Sequence, residues 1–297
     1  MSTNMDNNPR RKRGGGRKGR QASRSQAPET VAAWIDRKIP CFEVLDEEAL
    51  ELIEHNADIV LEEIGIEFRD YPQALDLWRE AGADVNGDRV RFPRGLCRQI
   101  VQQSAPHEFT QHARNPERSV VIGGKRTVCV PAYGSPFVRD LDHGRRYATL
   151  DDFHNFVRLA YMSPSLHHSG GTVCEPVNIP VNERHLDMVY SHIKNSDKPF
   201  MGSVTHASRA QDTIEMAKLV FGAEFVEQNT VVTSLINANS PMTFDGTMLG
   251  AATTYAEHNQ ATVISPFLLA GAMSPVTVAG TVTQILAEAL AGMLAGF

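Results

Sequence analysis

Many signatures of familiar chemistry are missing from this sequence. It has four cysteines in 297 residues (Cys41, Cys97, Cys129 and Cys174), far apart and without a CxxC pair. Such usage predicts reduced thiols in a cytoplasmic protein and no metal held by paired cysteines. No run of about 20 apolar residues occurs, so no transmembrane helix is expected. No apolar signal core follows the basic N-terminus, so export is not expected either. GxSxG, HExxH, a Walker loop and a GxGxxG opening a helix are all absent. No acid–base, zinc or phosphate-loop machinery is advertised.

What is present fits a globular protein, with 42% hydrophobic and 22% charged residues. The net charge of −6 conceals an asymmetry, because residues 1–25 carry eight basic side chains and one acid, Asp6. Gly, Ser and Arg dominate this run, which cannot bury apolar area; residues 1–38 are expected to form a disordered basic leader. A nucleic-acid role would suit such a leader. The body is acidic and lacks a nucleic-acid motif, so a solvated leader is the favoured reading and no nucleic-acid or membrane partner is expected.

Residues 39–118 read as a mostly helical subdomain. Asp46 is a good N-cap, Glu47 and Glu48 follow in the first turn, and Leu50, Ile53, Ala57, Val60, Leu61 and Ile64 recur at helical spacing until Gly65. A second helix is expected from Pro72 to Gly82, then an Asn-Gly turn between short strands at 84–90, then a helix from about Pro93 to Ser104. Residues 119–297 change texture. Val120–Ile122 with Thr127–Val130, and Phe137–Leu141 with Arg145–Ala148, read as two hairpins. Thr149 with Asp152 resembles a capping pair for a helix over 153–161.

Thereafter strand, polar tip and helix alternate with a period of roughly 30–35 residues, the size of a unit in a (β/α)8 barrel. Strands are expected near 128–131, 166–169, 199–204, 230–236 and 262–269, with helices from about 182, 209, 244 and 276. A doubly wound open sheet is the runner-up. The barrel is favoured because the tips are long and polar. Five strands are fewer than the eight that close a barrel, and the last helix is apolar to its end. The expectation is an incomplete barrel, poorly soluble and inactive by itself.

Ligands bind at the carboxyl ends of such strands, so the tips supply the candidate site. His168, in His167-His168-Ser169-Gly170-Gly171, either lines a pocket or is a buried, hydrogen-bonded ring. Glu175 either carries charge into the site or lies on the surface. Asn237, Asn239 and Ser240 could orient a polar ligand, or simply form a turn. Asp245 could face a cation or cap the following helix. Gly271 and Ser274 could admit a ligand close to the backbone, or form the turn before Pro275. Gly202 and Ser203 are read in the same way.

Several tips carry more than local information. HHSGGTVCEP (167–176), SDKPFMGSV (196–204), INANSPMTFDGTMLGA (236–251) and PFLLAGAMSPVTVAGT (266–281) resemble the trimethylamine methyltransferase family, as do YGSPFVRDLDHGRRYATLDDF (133–153) and NADIVLEEIGIEF (56–68). The resemblance runs from about Ile39 to the last residue. It implies the N-terminal part of a (β/α)8 barrel that moves a methyl group from a tertiary or quaternary amine, such as trimethylamine or glycine betaine, to a corrinoid. The corrinoid, a cobalamin, would be carried by a separate partner protein, with no cofactor bound tightly by this chain. A homo-oligomer is expected at full length. Founding members carry pyrrolysine in the second half of the barrel, beyond what this sequence shows. On this reading Asp245, Glu175, Tyr133 and Phe244 are candidates for the cation, and Asn237, Asn239, Ser240 and Ser274 for a substrate carboxylate. The alternatives are a barrel that binds quaternary amines without turnover and an inactive truncated fragment.

Overall fold

The computed structural model describes residues 32–293, so the leader up to residue 31 lies outside the described residues. The leader's last residues are ordered: β1 (Ile35–Asp36) pairs antiparallel with Thr127 and Arg126. Asp46 caps α1 (Glu47–Ile59), accepting from the Ala49 amide at 2.9 Å. The helix widens into a π turn over Val60–Ile64 and stops at Gly65, where φ is +74° and a Cβ would lie 2.2 Å from the Val90 carbonyl. Only glycine fits there.

Next come β2 (Ile66–Arg69), α2 (Pro72–Glu80), the hairpin β3 (Asp84–Asn86) with β4 (Arg89–Arg91), and α3 (Leu96–Ser104). The segment 39–118 therefore mixes three helices with strands. β5 (Glu108–Gln111) pairs antiparallel with β6 (Val120–Gly123). The expected hairpin of 120–122 with 127–130 does not form. Gly123 and Gly124, both at positive φ, redirect the chain, and β7 (Arg126–Thr127) joins β1 instead. The second hairpin forms as expected, from β8 (Phe137–Asp140) and β9 (Gly144–Tyr147). Thr149 and Asp152 make a reciprocal capping box on α4 (Leu150–Met162). Arg146 grips the same carboxylate at 2.6 and 2.8 Å, which holds Asp152 well below the usual carboxylate range.

Helix and strand then alternate through α5 (Arg184–Asn195), β10 (Phe200–Met201), α6 (Ala207–Phe221), α7 (Ala223–Gln228), β11 (Val232–Ala238), β12 (Thr243–Asp245), α8 (Gly246–Glu257), β13 (Ala261–Pro266) and α9 (Val278–Gly292). β10, β11 and β13 form a parallel sheet in that order. Backbone hydrogen bonds carry the ladder further. Ser169 N–H donates to Pro199 O at 2.8 Å, Met201 N–H to Gly170 O at 2.8 Å and His167 N–H to Cys129 O at 2.9 Å. Five chain segments thus lie side by side where the sequence pattern put five strands, but only three of them, β10, β11 and β13, pair as strands; the segments at 128–131 and 166–169 are joined by a few backbone hydrogen bonds alone. The fold is mixed α/β. Among the described residues the ladder stays open, with no strand on the far side of β13.

β12 was not expected. Its three residues pair in parallel with β2, far away in sequence, through Thr243↔Glu67 to Asp245↔Arg69. This pairing gives Phe244 a place in the core rather than at a ligand. The ring is fully buried and stacks on Phe68 at 5.9 Å, and Trp78 and Phe92 pack edge-on beside them at 4.6 Å. Each such buried ring contributes about 1.5–3 kcal/mol. With Ala287 and Ala291 of α9 in the same cluster, the N-terminal segment and the last helix share one core.

Candidate functional site

Two strand tips, one face of α5 and the start of α6 enclose a cavity of about 180 Å³. That is smaller than the roughly 300–1,000 Å³ of sites for drug-sized ligands, and it suits a small molecule. Its floor comes from the tips at Gly171–Thr172 and Met201–Thr205. Met188, Val189 and His192 of α5 form one wall, and Tyr133 forms another.

The tips are held in place by buried polar groups. His192 donates from Nε2 to the Gly171 carbonyl at 2.8 Å, so its Nδ1 accepts from the Ser169 hydroxyl at 2.7 Å. Burial of this neutral ring brings its pKa down to about 4. Tyr255 of α8 donates to the Ser203 carbonyl at 2.7 Å. Its hydroxyl fills the space a Cβ at Gly202 would need, 2.2 Å away. Lys198, before β10, donates to the carbonyls of Ala160, Tyr161, Ser163 and Leu166 at 2.8–3.1 Å and closes the C-terminus of α4. Burial brings that ammonium down to about 8.

The cavity's charges are distributed unevenly. Glu175 pairs with Arg184, whose Nη2 also donates to Ile179 O at 3.0 Å. His185 meets the Asp212 carboxylate through Nε2 at 2.7 Å. Arg209, in the first turn of α6, donates to Thr205 Oγ1 at 2.8 Å and has no carboxylate partner among the described residues. Against these stand Tyr133, Met188, Met201 and Val181, an aromatic, thioether and aliphatic surface. Such a surface accepts the methyl groups of an ammonium ion, and an aromatic face attracts its charge. Among the described residues no group of three or more His, Cys, Asp and Glu is placed to hold a metal.

The residues singled out from the sequence fall in different places. Glu175 and Tyr133 line the cavity. His168 does not: it is 1% exposed, and its Nδ1 accepts from the Gly170 amide at 2.9 Å. Its Nε2 therefore donates to Gln111 Oε1 at 3.2 Å. Gln111 in turn donates to the carbonyls of Phe200 and Val231, tying β5 beneath the parallel strands. Burial lowers the His168 pKa to about 3. Asn237 lies exposed on β11. Asn239 and Asp245 hold each other, at 2.8 Å from Nδ2 and 3.0 Å to Oδ1, while Asp245 caps α8 through the Met248 amide. Ser240, before a cis bond to Pro241, donates to the fully buried Glu288. Gly271 (φ +79°) and Ser274 close the turn before α9, with Gly271 N–H on Ser274 O at 2.9 Å and the Ser274 hydroxyl against Thr281.

Arg184, His185, Met188 and Arg209 were missed. They sit on helices, and nothing in their spacing separates a residue facing a cavity from one facing solvent. The available signal was indirect: a cationic side chain in the first helical turn is electrostatically out of place.

Comparison with known proteins agrees with the resemblance seen at the tips. The sequence model described as trimethylamine methyltransferase (MTTB) matches residues 12–295. A glycine betaine methyltransferase of Desulfitobacterium hafniense (strain Y51) is 46% identical over 256 residues, which cover 86% of this chain and 53% of that protein. A proline betaine:corrinoid methyltransferase of Eubacterium limosum is 26% identical over 255 residues, 82% of this chain and 52% of that protein. The chain spans about half the length of these curated relatives. With a match along almost its whole length, this chain belongs to the trimethylamine methyltransferase family.

Proposed function

We propose that this chain forms the amine-binding part of a methyltransferase that moves a methyl group from a quaternary or tertiary amine to the cobalt of a corrinoid protein. The observation that carries the reading is a cavity at the strand tips, walled by Tyr133, Met188 and Met201 and bordered by Glu175, in a chain of this family. Two relatives, a glycine betaine methyltransferase and a proline betaine:corrinoid methyltransferase, point the same way. On this reading the five parallel segments are five of the eight strands of a (β/α)8 barrel. On the same reading the protein acts in the cytoplasm with its thiols reduced and, at full length, as a homo-oligomer.

The chemistry accounts for the missing acid–base motifs. A quaternary ammonium is already an activated leaving group. When the carbon–nitrogen bond breaks, its electron pair stays on nitrogen and no proton is required; a tertiary amine would react as its protonated ammonium form, which already carries the proton that its product keeps. The acceptor, a reduced cobalt carried by a separate protein, supplies the electron pair for the new carbon–metal bond. The task left to the polypeptide is to orient one methyl group and keep water away. Tyr133 and the two methionines fit the methyl groups, while Glu175 faces the positive charge.

The test is to incubate the native protein with a Co(I) corrinoid protein and, in turn, glycine betaine, proline betaine and trimethylamine. Methylcobalamin should form with a matching amount of demethylated amine. Binding without methyl transfer to a competent corrinoid protein would assign the cavity to binding alone. Neither binding nor transfer with any of the three would remove the reading.

A further inference from the structure

The cavity holds two arginines, and they differ in what satisfies them. Arg184 has its charge matched by Glu175. Among the described residues no carboxylate matches the charge of Arg209, and only one hydroxyl, that of Thr205, accepts from it. A guanidinium carries five N–H donors. Acceptors are short elsewhere on this wall too: the buried Nε of Arg184 has no partner. The opposite wall offers methyl-binding surface but no charge. The cavity is thus polarised, with a guanidinium free of carboxylate partners among the described residues at the start of α6 and an apolar surface toward Tyr133.

Resting on the amine reading above, we propose that Arg209 is the anchor for a carboxylate on the amine, which makes the cavity selective for zwitterionic betaines over simple ammonium cations. A carboxylate brings two acceptor oxygens in the plane a guanidinium matches. Three of the four groups that sequence reasoning offered for this task are committed elsewhere, Asn239 to Asp245, Ser240 to Glu288 and Ser274 to Thr281, and the fourth, Asn237, does not line the cavity. Arg209 is also positioned by a helix start whose amide dipoles add to its attraction for an anion.

Glycine betaine and choline share a trimethylammonium head and differ in carrying a carboxylate or a hydroxyl, so the pair isolates this contact. Their dissociation constants are measured by calorimetry on the native protein, Arg209→Ala and Arg209→Lys. The native protein should prefer glycine betaine. Arg209→Ala should weaken glycine betaine roughly tenfold to a hundredfold, the worth of a charge-assisted hydrogen bond. Choline binding should hold or tighten, since a like charge has gone; it also reports that the variant is folded. Arg209→Lys should recover part of the loss. An unchanged preference in Arg209→Ala, or an equal loss for both ligands, overturns the assignment and leaves the amine reading standing. A native protein that binds neither ligand removes both.

Discussion

The two buried rings that frame the strand tips should make this protein sensitive to mild acid. His168 and His192 are fully enclosed and neutral, with burial holding their pKa values at about 3 and about 4 against an ordinary 6.5. Unfolding releases both into water, where each takes up a proton below pH 6.5. The unfolded chain then binds more protons than the native one, so stability rises with pH. The contribution is fully present above about pH 7 and is lost as pH falls below 6.5. With two rings the slope is about 2.7 kcal/mol per pH unit near pH 5, and the loss from pH 7 to 5 is about 2 kcal/mol per ring. Against a total of roughly 5–15 kcal/mol this is large. Carboxylates act in a lower window. Asp152, held down by Arg146, and Glu67, held down chiefly by its hydrogen bond from Arg69, lose their contribution only below about pH 4.5. Urea titrations at pH 5.0 to 7.5 read the effect from midpoints at constant m. In His192→Gln the overall stability falls, yet the slope should drop by one ring's share, about 1.3 kcal/mol per pH unit; His167, also held below its ordinary value by burial, keeps its part. A flat profile between pH 7 and 5, or a slope unchanged in the variant, would refute the claim that these rings are neutral and buried.

Two further outcomes follow from packing. Gly202→Ala should cost about 1–3 kcal/mol, because its Cβ collides with the Tyr255 hydroxyl. In a Tyr255→Phe background the same change should cost less, and equal costs in the two backgrounds would show that the hydroxyl is not the obstacle. Of the four thiols, Cys41 is exposed, while burial pushes Cys97 and Cys174 up to about 12. Alkylation at pH 8 mapped by mass spectrometry should mark Cys41 and spare these two until denaturant is added; native labelling of either at the rate of Cys41 counts against the packing described.

The sequence revealed elements with local causes. Asp46, Gly65, Thr149 with Asp152, and the alternation of apolar runs with polar tips each act within a few residues, and the corresponding helices and parallel segments stand where the pattern placed them. Pairings between distant segments were hidden. Nothing in Thr243-Phe244-Asp245 announces a partner at Glu67–Arg69, and so Phe244 could pass for an aromatic facing a ligand. The site divided along the same line. Tip residues such as Glu175 could be found by counting along a strand, but a short polar side chain at a tip serves equally well as a cap, and Asn239, Ser240 and Asp245 satisfy each other or the backbone. Residues on helix faces, Arg209 above all, needed the packing to be known first.

The charge layout also bears on which amines the cavity should favour. Glu175 and Arg184 nearly cancel and the Asp212 carboxylate is held by His185, so among the described residues the positive charge without a paired carboxylate is that of Arg209. A cavity of 180 Å³ is about 7 Å across if taken as a sphere. Two like charges at that separation repel by about 2 kcal/mol at an effective dielectric constant of 20. A monocation such as choline meets this repulsion with only the Tyr133 face and the Arg184-paired Glu175 to offset it. A betaine places its carboxylate between the two positive charges, and each of its ends then sits beside a surface suited to it. That difference alone corresponds to roughly thirtyfold in affinity. The absence of an acidic counter-charge for Arg209 in the described residues therefore disfavours amines that lack a negative group of their own.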